Sequence, residues 1–166
     1  MKKTIAQPGG LADSLAANPR MSADRILVRL VWNAVRSVVA HVPPLRGRWM
    51  GGPDPRQLLG LLTYCYATGL YATEDIEHAA RRCGLPQGLV PREGLSAELL
   101  QAFRRANRPW IEESLARVFA AWPEGAAWFG SSAELTLPGQ RGYEACRRAA
   151  RRAVELATLF DTALAD

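Results

Sequence analysis

Two groups of arginines hold most of the chemistry this sequence can offer. The first is Arg104, Arg105 and Arg108, with Asn107 among them. Spacings of one, three and four residues let the three guanidinium groups share one patch on a helix end. Such a patch can hold phosphates, and an asparagine beside it can reach a phosphate or a base edge. The same arginines can instead satisfy the last carbonyls of their own helix. The second group is Arg147, Arg148, Arg151 and Arg152, two i, i+4 pairs extended upstream by Arg141. A positive ridge of this kind can track a nucleic-acid backbone by neutralising its charge. It can equally be a solvated face paired with acidic neighbours, of which Glu144 and Glu155 are the nearest in sequence.

The overall charge points the same way. The 166-residue chain carries a formal net charge of +5, and Lys2 and Lys3 are its only lysines. Arginine makes forked contacts to phosphate that lysine cannot. Other chemistry is sparse. His41 falls at a helix end and His78 four residues after Glu74, both suited to solvated positions. Glu74 and Glu77 lie close enough to suggest a cation site, but acidic residues at a helix start usually complement its dipole. Cys65, Cys83 and Cys146 are far apart, with no metal-ligand spacing, and suit reduced thiols. No phosphate-binding glycine loop, nucleophile elbow or zinc signature occurs. The expectation is a non-enzyme with no metal and no cofactor. No apolar run approaches a membrane span, so the chain is expected to be cytoplasmic and not membrane-bound.

Helices must position these arginines. Residues 1–21 read as a loose arm punctuated by Pro8, Gly9, Gly10 and Pro19, and residues 22–166 as one helical domain. Ser22 is a candidate cap for a first helix over Ala23–His41, ended by Pro43-Pro44. Asp54-Pro55 opens a second, mostly apolar helix that ends at Gly69. Thr73 is a candidate cap for a third, with Gly84 past its end. Ser96 starts a fourth over Ala97–Ala106. Asn107-Arg108-Pro109 then breaks the chain, and Pro109 opens a fifth that Pro123 closes. Glu134–Pro138 suits a short extended piece, and Gln140–Ala163 a long final helix. The predicted fold is all-α, a compact bundle of five to six helices.

The ordered parts between Pro55 and Phe119 resemble a known family. The run from Leu58 to Glu77, LLGLLTYCYATGLYATEDIE, is similar to the N-terminal domain of bacterial insertion-sequence transposases of the InsH-like DDE group. There an apolar helix ends in a tyrosine- and glycine-containing turn, and a Ser/Thr-capped helix follows. Phe103-Arg104, and Leu115 with Val118-Phe119, match the family's later helices, and Pro91 its loop proline. The resemblance implies a helical module for DNA binding or transposase assembly. Its partner would be double-stranded DNA, transposon ends included. The family's catalytic half, a strand-rich domain with three carboxylates holding two metal ions, has no counterpart in these residues. A truncated or repurposed transposase module without catalysis is therefore expected.

An alternative is a helical interaction module that pairs with itself or with a full-length transposase. The alanine-rich side of the last helix (Ala145, Ala149, Ala150, Ala153, Ala157) would permit close packing against a partner.

Overall fold

A computed structural model describes residues 19–40, 52–92, 94–123, 135 and 138–163, with the side chains of 19–23 left aside. Five helices are described: α1 (Pro19–Val39), α2 (Pro55–Ala67), α3 (Thr73–Arg81), α4 (Ala97–Ala121) and α5 (Gln140–Ala163). No strand occurs among the described residues, so the all-α expectation holds. The arm over 1–18, His41, Trp49, Trp128 and most of the extended piece at 134–138 lie outside the described residues.

The most apolar segment makes the most buried helix. Asp54 caps α2 by accepting from the Arg56 N–H at 2.9 Å, and Pro55 stands at its first position. Every residue from Leu58 to Ala67 is buried, so α2 is covered on all sides. Thr63, the polar residue in that run, donates its hydroxyl to the Leu59 carbonyl at 2.7 Å. The helix ends as its sequence suggests. Gly69 takes φ +86°, and the Leu70 N–H reaches back to the Cys65 carbonyl at 2.8 Å.

Three helix ends differ from the sequence reading, each for a local reason. First, α1 begins at Pro19 rather than after Ser22. The fixed φ of proline suits a first turn, and no other breaker follows before Val39. Second, Thr73 is not the cap of α3. Ala72 holds that position without a side-chain bond, and Thr73 is the first helical residue. The Thr73 N–H and hydroxyl both donate to Asp161 Oδ1, at 2.9 and 3.0 Å, so a carboxylate from the far end of α5 does the capping. Third, the left-handed residue after α3 is Cys83, at φ 55°, and not Gly84. The Gly84 N–H bonds the Ala79 carbonyl at 2.9 Å, which closes the turn one residue beyond it.

A side chain other than glycine is strained in that conformation, and Cys83 is exposed, so its thiol gains little from packing. Cys83→Gly is therefore expected to raise stability by about 0.5–1 kcal/mol, the relief of strain less the added freedom of the unfolded chain. A urea midpoint shifted upward at unchanged slope checks it.

α4 is the hub and touches each of the other four helices. Ser96 caps it, accepting from the Leu99 N–H at 3.2 Å. Glu77 of α3 accepts from the Ala97 N–H at 3.0 Å and pairs with Arg81. That occupies the carboxylate considered above for a cation. The break foreseen at Asn107-Arg108-Pro109 appears as a kink within one helix. Asn107 departs from helical geometry (φ −125°, ψ 20°), and Pro109 supplies no N–H to the turn before it.

α5 packs most extensively on α4. Its inner side is Gly142, Ala145, Cys146, Ala149, Ala150, Ala153, Val154 and Ala157, all buried. Small side chains let the two helices approach closely. The alanine face proposed for a partner is thus already occupied by the chain's own α4.

Candidate nucleic-acid interface

The two arginine groups meet very different surroundings. Arg104 lies on the inner stripe of α4 with Leu100, Asn107 and Ile111, and is only 4% exposed. Its guanidinium pairs with Asp161 of α5. It also donates to the Tyr66 hydroxyl of α2 and to the Ala157 carbonyl, each at 3.3 Å. Asp161 in turn holds Thr73, and Gln101 Nε2 donates to the Thr73 hydroxyl at 3.2 Å. One polar cluster so ties α2, α3, α4 and α5 together.

The protonation states in this cluster follow from burial and charge. Burial pushes the Tyr66 phenol up to about 12; Arg104 pulls against that shift, and the tyrosine stays a neutral acceptor. Burial opposes the Arg104 charge, but Tyr66 and Asp161 outweigh it and hold its pKa above the usual arginine value.

Asn107 is fully buried as well. Its side-chain amide donates to the Phe103 carbonyl at 3.1 Å and staples the kink. Arg104 and Asn107 therefore do not form a surface corner, and the structure removes both from the candidate contact set. Desolvated partners hold them inside the bundle. Of that first group, Arg105 is exposed and Arg108 is partly exposed.

The second group stays outside. Arg147, Arg148, Arg151 and Arg152 are all exposed on α5, as is Arg141. Along the groove between α4 and α5 the charges alternate. Arg108 bonds Glu112 at 2.7 Å and Glu155 at 3.2 Å. Arg117 pairs with Glu113 at 3.0 Å. Arg147 sits 3.8 Å from Glu113 and 3.5 Å from Glu144, and Arg151 sits 3.9 Å from Glu112. The Tyr143 hydroxyl also donates to Glu113 at 2.7 Å; burial first, and then this carboxylate, push its pKa up to about 12.

This seam is balanced, four arginines against four glutamates. Exposed pairs of this kind are worth about 0–1 kcal/mol each, so phosphates can exchange with the longer ones. Arg108, with two short contacts, is held most firmly. Arg105, Arg141, Arg148 and Arg152 are further exposed cations. Arg141, Arg148 and Arg152 fall on one stripe of α5, seven and then four residues apart.

The sequence reading missed Asp161 and Tyr66 as partners of Arg104. They stand 57 and 38 residues away, and no local pattern joins them. A usable signal was present all the same. Arg104 follows Leu100 by four residues and precedes Ile111 by seven, which puts it in register with the apolar stripe.

Among the described residues no group of three or more His, Cys, Asp or Glu side chains is placed to hold a metal ion, and no helix is long and apolar enough to cross a membrane. No family model, curated protein or solved structure matches the chain.

Proposed function

We propose that this chain is a non-catalytic DNA-binding module of the kind that forms the N-terminal domain of insertion-sequence transposases, acting on duplex DNA in the bacterial cytoplasm. The observation that carries the reading is the exposed arginine stripe of α5, whose opposite side is fixed along its length on α4. A rigid helix presents its cations at a set spacing, about 6 Å for residues four apart. Arg148 and Arg152 are the main phosphate contacts. Arg105 and Arg141 assist, and Arg147 and Arg151 exchange their distant glutamates for phosphate. The ordered match from Leu58 to Phe119 supports the transposase kinship.

Self-pairing through the alanine face is disfavoured, because that face is buried within the chain. Assembly with a full-length transposase would have to use another surface.

Fluorescence anisotropy with a labelled duplex tests the contacts. The Arg148→Ala/Arg152→Ala variant should keep the wild-type melting temperature and bind more weakly. It should also lose about 1.8 from the slope of log affinity against log salt, about 0.9 per contact. An unchanged affinity and slope would overturn the assignment.

A further inference from the structure

Three helices meet at a cleft of about 270 Å³, away from the arginine seam. Ile26, Leu27 and Leu30 of α1 form one wall. Thr68, just past the end of α2, and Trp122, just past the end of α4, form the other. Ile26 is 53% exposed, and Leu30 and Trp122 are partly exposed, so the apolar walls are open to solvent.

The electrostatics of the cleft have one sign. Among the described residues Asp24 is the charged side chain that lines it. Its Oδ1 accepts from the Tyr64 hydroxyl at 3.3 Å. Burial first, and then Asp24, push the Tyr64 pKa up to about 12, so the phenol stays a neutral donor. No cation among the described residues pairs with Asp24. The backbone adds to the negative field. α2 and α4 both end at the cleft, and neither has a basic residue in its last turn. Each helix C-terminus acts as about half a negative charge over its last turn. The positive start of α1, at Pro19, lies more than a full turn before Asp24. Arg25 and Arg29 are exposed on α1 and do not line the cleft.

We propose that this cleft binds a small organic ammonium ion, a primary amine on a single aromatic or short aliphatic body. The apolar walls take the body, and Trp122 supplies an aromatic wall that favours both a ring and a cation. Asp24 and the two helix ends take the charge. A ring of benzene size needs about 150 Å³, which leaves room for a short arm that brings the ammonium to Asp24. An anionic ligand meets the wrong sign of field. The inference does not rest on the DNA-binding reading, since no described residue of α5 lines the cleft.

Calorimetric titration of the full chain with 2-phenylethylammonium, 2-phenylethanol and phenylacetate tests it. The ammonium should bind one to one, about ten-fold more tightly than the alcohol, as a charge-assisted hydrogen bond requires. Phenylacetate should bind more weakly than either. Asp24→Asn should bring the ammonium down to the affinity of the alcohol and leave the alcohol unchanged. Trp122→Leu should weaken the ammonium about three-fold. Equal affinities for the three ligands, or an ammonium affinity untouched by Asp24→Asn, would overturn the proposal. Failure of the ammonium to bind at millimolar concentration would overturn it too; a sedimenting mass that doubles with protein concentration would then give the cleft to a second copy. Melting curves establish that each variant is folded, and the comparison of ligands on the wild type needs no variant.

Discussion

Arg104→Ala lowers the unfolding free energy by about 3–5 kcal/mol, the cost of leaving one member of a buried ion pair unpartnered. The side chains of Arg104 and Asp161 are 5% and 7% exposed, so water cannot take the missing partner's place. The damage spreads beyond one pair. Tyr66 and the Ala157 carbonyl lose a donor, and Asp161 keeps only its bonds to Thr73 at the start of α3. A domain of this size has about 5–15 kcal/mol of stability in all, so the variant would sit near its folding threshold. Urea or thermal unfolding followed by circular dichroism measures the loss. Arg104→Met combined with Asp161→Leu should cost much less than Arg104→Ala alone, because apolar groups of similar volume replace both charges together. A loss of DNA binding in Arg104→Ala would then report partial unfolding, not a missing phosphate contact.

Phe103→Ala is expected to cost a similar amount, about 3–5 kcal/mol. Phe103 is fully buried on α4, one residue before Arg104 and directly ahead of the Asn107 kink. The rigid turn that Asn107 staples onto the Phe103 carbonyl limits how far α4 can relax into the cavity. Phe103→Leu keeps most of the volume and should cost less than half as much. Chemical denaturation of the two variants gives the ratio. The Phe103-Arg104 pair is then an anchor that locks α4 into the bundle.

The helices themselves were well legible in the sequence. The bounds of α5 match its expected range at both ends, because Gly139 breaks the chain before it and the apolar period continues unbroken to Ala157. α2 was equally clear from Asp54-Pro55 at one end and Gly69 at the other. What did not show was the use of polar residues whose partners are remote. Thr73 looked like a cap because caps are usually local, yet the capping oxygen comes from Asp161, 88 residues away. Arg104 looked like surface because arginine usually is, yet Tyr66 and Asp161 make it a core residue. The candidate site was half legible for the same reason. The α5 ridge needed only helical geometry, whereas the α4 corner depended on tertiary contacts.

The charge seam between α4 and α5 also sets how the remaining arginines should be tested. Glu112 and Glu113 each serve one arginine on α4 and one on α5. They therefore reduce the net field that a phosphate meets there. The stripe of Arg141, Arg148 and Arg152 is exposed along one side of α5.

The most direct measurement is the affinity of the wild-type protein for a duplex oligonucleotide as salt rises from about 50 mM to about 200 mM. The DNA-binding account predicts a linear fall of log affinity against log salt, with a slope between about −2 and −5 for two to five engaged arginines. No binding at the lowest salt, or binding that does not change with salt, would contradict it.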